Sequence, residues 1–374
     1  MSSIYVHIPF CKTRCIYCDF FSTTLLGLRE QYVDAVCKEI EQTDKYLDGD
    51  QIHSIYFGGG TPSQLTPTQI GRILDIIQTH HPIDPNCETT IELNPDDVTG
   101  DYVSKLRLLP INRISLGIQS FHDSILQFIH RRHSSQQAID AVRLLQDNGF
   151  NNISVDLMFG FPDETLENWK EDIEQALRLN IQHISAYSLM YEEGTKLYRM
   201  LMSQQIHEID EELSRKMYQI LMERLSDAGF DHYEISNFAK PNYYSRHNSS
   251  YWNNTKYLGI GAGAHSYNRI SRQSNISDLK AYIDGINLGK PKREKETLTV
   301  EQRYNETVMT RLRTSKGLNT ADIKELFGKE YYHHLMTAAT PYYNLGLLKN
   351  NDGNLSLTQK GIYISNDIIS SLFI

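Results

Sequence analysis

Ser2-Ser3-Ile4-Tyr5-Val6-His7-Ile8-Pro9-Phe10-Cys11-Lys12-Thr13-Arg14-Cys15-Ile16-Tyr17-Cys18 opens the chain. Ile4 to Ile8 reads as a strand of β-branched and aromatic residues, stopped by Pro9. Three thiols follow within eight positions, spaced C-x3-C-x2-C. Working outward, the same punctuation recurs. Ser54 to Phe57 ends in Gly58-Gly59-Gly60, Thr89 to Leu93 in Asn94-Pro95, and Arg113 to Ile118 in Gln119-Ser120. Ile153 to Met158 ends in Gly160-Phe161-Pro162, and His183 to Leu189 is the sixth run. Helical spacing separates them, over Glu30–Leu47, Pro67–Gln78, Ser124–Gln146 with a break near His133, Leu166–Leu179 and Glu211–Ala228. Six such alternations predict βαβ units on a parallel sheet. They are too few for a closed eight-fold barrel, so the expected fold is α/β, a partial (β/α)6 barrel. Function then gathers at the carboxyl ends of the strands.

With 374 residues the chain has room for more than one domain. The reading divides it into a barrel over 1–235, a connecting segment over 236–290 and a C-terminal domain over 291–374. Gly289 to Glu296 reads as a solvated linker. Beyond it, helices are expected over Val300–Leu312, Thr320–Leu326 and Tyr331–Tyr343, the last interrupted at Pro341. Leu347-Leu348 and Leu355–Leu357 flank a hairpin signal at Asn350-Asn351-Asp352-Gly353. That order is winged-helix-like. Its third helix has no Arg or Lys after Lys329, and the net charge is −9. Both argue against a duplex-reading surface, so no nucleic-acid partner is expected and the domain reads as a structural or partner module. No apolar run approaches membrane-spanning length, and Met1 to Phe10 carries no basic leader. A cytoplasmic chain is expected.

Five cysteines do not make a disulfide framework. Cys11, Cys15 and Cys18 are soft ligands in one cluster. Three thiolates on a [4Fe–4S] cube leave one iron open for a further ligand. The competing readings are zinc, with His7 as fourth ligand, and a redox pair of Cys15 and Cys18. Cys37, on a helix, and Cys87, in a loop, read as packing.

The triplet, with Tyr17 before its last Cys, resembles the signature of radical S-adenosylmethionine (SAM) proteins. Tyr5 to Cys11 together with Gly58-Gly59-Gly60-Thr61-Pro62-Ser63 is similar to their coproporphyrinogen dehydrogenase branch, over nearly the whole chain. In the oxygen-independent coproporphyrinogen III oxidases a fourth Cys follows the triplet by two residues; here that position is Phe20. His247-Asn248-Ser249-Ser250-Tyr251-Trp252 and Tyr257 to Ser266 resemble the haem chaperone group of that branch, HemW.

The resemblance implies a [4Fe–4S] cluster, SAM and haem. The expected function is haem transfer to acceptor proteins such as respiratory cytochromes, membrane-associated ones included. The alternative is radical decarboxylation of coproporphyrinogen III, disfavoured by Phe20. It also implies that Tyr5, Tyr17, Gly59, Gly60, Thr61, Glu92, Gln119, Arg131, Asp156 and Ser188 contact SAM, with His265 near a further contact. Glu92 suits the ammonium, Arg131 the carboxylate, and Gln119 and Asp156 the ribose. Alternatives are a Glu92–Arg131 ion pair, or Arg132 as the acting cation. His247 is the candidate haem ligand, with Tyr251 and Trp252 either against the macrocycle or in the core. His7 is either a hydrogen-bonding group at the cluster or structural, and Phe20 a shield.

Overall fold

A computed structural model describes the chain from Met1 to Ile374. Its first half alternates strand and helix as expected. β1 (Ser2–Ile8), β2 (Ile52–Gly59), β3 (Ile83–Leu93), β4 (Arg113–Gln119), β5 (Ile153–Phe159) and β6 (His183–Ser188) lie side by side in chain order. Each is parallel to the next. The intervening helices start cleanly because Thr66, Ser134 and Thr165 form capping boxes with the residue three places on. Such a cap stabilises a helix by ~1 kcal/mol.

Along each strand the side chains alternate in chemistry as well as in facing. Ile4, Val6, Ile8, Ile55, Phe57, Ile91, Ile114, Leu116, Val155 and Ile184 belong to the main core, packed with helix residues such as Val33, Ile70, Val142 and Ile173. Side chains alternate across a strand. Tyr5, His7, Tyr56, Glu92, Arg113, Ser115, Asp156 and His183 therefore share the opposite, inner face.

The sheet continues past the six strands. β7 (Asp231–Glu234) and β8 (Asn237–Ala239) form a hairpin, with β8 antiparallel to β6. On the other side β9 (Lys256–Ile260) runs parallel to β1, followed by β10 (His265–Tyr267), β11 (Ser271–Asn275) and β12 (Arg293–Thr297). The residues read as a connector thus supply strands to the main sheet. Part of the expected linker is β12, paired antiparallel with β11 from Ser271↔Thr297 to Asn275↔Arg293. Its alternating charges are exposed, as suits an edge strand. Cys87 is likewise inside a strand, β3, and buried, where a loop was expected.

The C-terminal helices span Val300–Leu312, Thr320–Phe327 and Lys329–Asn344. They share a separate core with β13 (Leu318–Asn319), β14 (Leu348–Asn351) and β15 (Asn354–Leu357), formed by Tyr304, Val308, Ile323, Leu335 and Leu355. Asp352 and Gly353 both take positive φ, 53° and 85°, the signature of a two-residue type I′ turn. Pro341 does not interrupt the third helix. It lies on the exposed side in the last turn, so the carbonyl it leaves unbonded faces water. No helix is long and apolar enough to cross a membrane.

Candidate cofactor site

The carboxyl ends of β1 to β6 open into a cavity of about 470 Å³. Cys11, Cys15 and Cys18 line it together with Tyr17, Gly59, Gly60, Thr61, Glu92, Gln119, Arg131, Asp156 and Ser188. The structure therefore gathers most of the expected residues from five strand ends and from the two loops that carry the cysteines and Arg131. Tyr5 and His265 are not among the lining residues. Tyr5 lies beneath, its hydroxyl 3.0 Å from His7 Nδ1. His265 starts β10, two strands beyond β1, and is exposed.

The thiols border the cavity from an irregular loop anchored by the Cys11 N–H bond to the Thr23 carbonyl. Cys11 Sγ is 3.5 Å from Thr61 Oγ1, and Arg131 Nη1 is 3.8 Å from Cys15 Sγ. Burial pushes the Cys11 thiol up and the Cys18 thiol to about 11. Such thiols ionise near neutrality only against a metal, which deprotonates a coordinating sulfur outright. No three His, Cys, Asp or Glu groups lie close enough together for a single ion. His7 already has both ring nitrogens engaged, by Tyr5 and by the Phe21 carbonyl at 2.9 Å. The zinc reading is left without its fourth ligand. A cube, whose irons sit at separate corners, suits three thiols spaced around one mouth.

The glycines are required by packing. A Cβ on Gly59 (φ 112°) would fall 2.5 Å from the His7 ring, and one on Gly60 2.8 Å from the Pro9 backbone. β2 can end pressed against β1 only without side chains, and this leaves backbone exposed to the cavity.

Glu92 accepts from Tyr56 OH at 2.8 Å and from Gly59 N at 3.3 Å. Burial raises it to about 7, opposed by the Tyr56 hydroxyl and reinforced by Asp156. Arg131 does not pair with it. Its Nη2 bonds the Gly117 carbonyl and Asn94 Oδ1, the latter at 2.9 Å, and its Nε is buried without a partner. Arg132 points elsewhere, to Asp96 and Asp97. Asp156 accepts from Ser115 Oγ at 3.2 Å. An ammonium beside Glu92 and a carboxylate beside Arg131 would satisfy both groups, so the donor set fits an amino-acid headgroup.

His247 corrects an expectation. It lies on the helix Arg246–Trp252 and is 1% exposed. Nδ1 meets Ser54 Oγ at 3.1 Å and Nε2 meets Tyr251 OH at 3.0 Å. The ring offers no nitrogen to an outside metal, and Tyr251 packs on its edge. Phe20, expected to shield, is 63% exposed and lines the same cavity as Met190 and Tyr187. Asn94 is visible in the sequence as a strand-end residue without a role. Tyr56 had as its signal only the two-residue alternation Ser54-Tyr56-Gly58.

Two family models match the chain: the Radical SAM superfamily over residues 5–176 and the HemN C-terminal domain over 298–364. "Heme chaperone HemW" of Bacillus subtilis (strain 168) is 33% identical over 374 residues, 99% of each chain. The protein of that name from Lactococcus lactis is 32% identical, covering 100% of this chain and 97% of its own. The Escherichia coli K12 one is 36% identical over 76% of each. The solved coproporphyrinogen III oxidase (HemN) from Escherichia coli, a radical SAM enzyme, shares the fold. Its TM-score is 0.86 at 21% identity, covering 99% of this chain and 89% of that one.

Proposed function

Because the chain belongs to the haem chaperone HemW family, we propose that it holds a [4Fe–4S] cluster on Cys11, Cys15 and Cys18, binds SAM at the open iron, and carries haem for transfer to an acceptor. The observation that carries this reading is the make-up of one cavity. Three thiols, a carboxyl and a guanidinium line it, and Phe20, Tyr187 and Met190 add exposed apolar surface. Bound there, cluster and sulfonium supply one-electron chemistry. The chain's own work is to hold them. Glu92 faces the ammonium, Arg131 the carboxylate, Gln119 and Asp156 the ribose, and the Gly59-Gly60 backbone the methionine moiety.

The rings of Phe20 and Tyr187 and the Met190 thioether are soft, adaptable apolar contacts of the kind the face of a flat macrocycle would take. Phe20 stands where the resemblance puts the fourth Cys of the oxidases, which supports carriage over decarboxylation. The acceptor is a haem protein such as a respiratory cytochrome, reached from the cytoplasm, where thiols stay reduced.

Anaerobically reconstituted protein given coproporphyrinogen III, SAM and a reductant should leave the porphyrinogen unchanged. With haemin it should give a Soret shift saturating at one equivalent, and pass that haem to an apocytochrome. Protoporphyrinogen formation, or no haem uptake, overturns the reading.

A further inference from the structure

We infer that His247 is a positioning residue for the SAM pocket: through the rings of Tyr56 and Tyr5 it sets the Glu92 carboxyl and the glycine cradle at the end of β2. This rests on the pocket proposed above.

The imidazole is clamped on every side. Ser245 caps its helix, and the carboxylate of Glu88, on β3, accepts the N–H groups of Arg246 and His247 at 3.1 and 3.0 Å. A run of hydroxyls fixes the ring's tautomer. Ser250 donates to the Arg246 carbonyl, Ser3 to Ser250, and Ser54 to Ser3. Ser54 has thus used its proton and accepts from His247 Nδ1–H. Nε2 is left to accept from Tyr251 OH. Burial holds the ring neutral, its pKa lowered to about 3, so it is a fixed neutral plate rather than a cation.

That plate is one corner of a triangle of rings, with Tyr5 tilted against it at 6.3 Å. Tyr56 lies on it with centroids 4.9 Å apart and planes at 26°. Tyr5 stacks on Tyr56 at 6.2 Å and 26°. From Tyr56 the hydroxyl reaches Glu92 at 2.8 Å. From Tyr5 the hydroxyl reaches His7, whose ring lies under Gly59 and bonds the Phe21 carbonyl just past the cysteine loop. One branch therefore ends on the headgroup carboxyl and the other on the cradle beside the cluster loop. Without the His247 ring, Tyr56 loses the surface that holds its hydroxyl on Glu92. The carboxyl then keeps only the 3.3 Å bond from Gly59 N, with Asp156 opposing its charge.

The test pairs two readouts on His247→Ala, Tyr56→Phe and the double variant. The first is SAM affinity of the cluster-loaded proteins by anaerobic equilibrium dialysis, at matched iron content. Each single variant should bind about tenfold more weakly, and the double variant no more weakly than Tyr56→Phe alone, because the effect runs through one hydroxyl. The second readout needs neither cluster nor SAM. The Glu92 carboxyl, followed by carbon-13 NMR in the metal-free protein, should titrate above its wild-type midpoint in Tyr56→Phe and shift the same way in His247→Ala. If His247→Ala does not fold, His247→Leu, which fills the volume without a flat ring, carries the same expectations. Wild-type SAM affinity together with an unmoved Glu92 midpoint, or fully additive losses, overturns the inference. If the wild type itself binds no SAM, the pocket's proposed ligand is wrong, and the Glu92 titration alone decides whether His247 acts on that carboxyl.

Discussion

Arg131 and Arg132 are adjacent cations with opposite fates, and the difference can be measured. Arg131 enters the cavity, held by Asn94 Oδ1 at 2.9 Å and the Gly117 carbonyl, with its Nε buried and unpartnered. A ligand carboxylate there would gain one or two hydrogen bonds from a cation, each worth roughly 1.5–3 kcal/mol. At about 1.4 kcal/mol per tenfold, loss of one such bond weakens binding by roughly 10- to 150-fold. Arg131→Lys keeps charge but loses the planar fork, so it should fall near the lower end. Arg131→Ala removes both and should reach about 100-fold or more. Arg132→Ala should leave SAM affinity within about twofold, since that side chain faces Asp96 and Asp97. The assay is dialysis of labelled SAM against cluster-loaded protein at equal iron content. Wild-type binding by Arg131→Ala, or the loss appearing in Arg132→Ala instead, would refute the assignment of the carboxylate site.

Serine at Cys11, Cys15 or Cys18 should each abolish the iron and sulfide bound after anaerobic reconstitution, whereas Cys37→Ser, on the helix Arg29–Gln42, should retain both. Glu39, 1% exposed, accepts from Tyr282 OH (2.6 Å), Gly261 N (2.8 Å), Asn275 Nδ2 (2.8 Å) and Arg293 (2.7 Å). Glu39→Ala should therefore cost about 3–5 kcal/mol in urea unfolding of the metal-free protein, because it strands the buried Tyr282 hydroxyl and Gly261 N–H, each at about 1–3 kcal/mol, and breaks the pair with the partly exposed Arg293. Burial raises both Glu164 and Glu234 to about 7. Between the unfolded value of 4.5 and 7 the folded chain binds more protons, so stability should fall as pH rises across that window, by on the order of 2–3 kcal/mol per group. Glu164→Gln should flatten part of the slope, and a stability that rises with pH there would contradict it. Phe20→Ala with Met190→Ala should weaken haem uptake about tenfold or more and leave cluster content unchanged, read from the Soret titration and iron analysis.

The strands were legible because each is an apolar or β-branched run, four of the six ended by Gly, Pro or Asn, a local signal that survives without tertiary information. The cluster cysteines and the glycine triplet are also local, and their spacing carries their geometry. Arg131 against Arg132 was not decidable that way. The choice depends on a left-handed turn at His130, φ 61°, which rotates the next side chain into the cavity. β12 was hidden because an exposed edge strand has the composition of a solvated linker. Gly100–Leu106 and Lys196–Met202 are seven-residue helices, too short to show a period. His247 was misjudged for another reason. A motif names a residue but not which way its ring faces, and here the hydroxyls of Ser54 and Tyr251 close both nitrogens.

A closed barrel of eight strands fills its interior with layers of branched aliphatic side chains. Here the inner positions carry Ser3, Tyr5, Ser54, Tyr56, Thr90, Glu92, Arg113, Ser115, Ser154, Asp156, His183 and Ser185. Of these, only Thr90 Oγ1 and Arg113 Nε are buried without a partner. Each unsatisfied polar group in such a place costs about 1–3 kcal/mol, so the network tolerates little rearrangement. An aliphatic interior would be more forgiving, yet it could not fix a tyrosine hydroxyl on a carboxyl at the strand ends. The hydrogen-bonded floor makes the cavity's polar groups rigid before any ligand arrives. The helix carrying His247 is the piece that closes that floor from below. A pocket whose headgroup contacts depend on one carboxyl and one guanidinium needs that rigidity, because a group free to swing must be ordered again at each binding event.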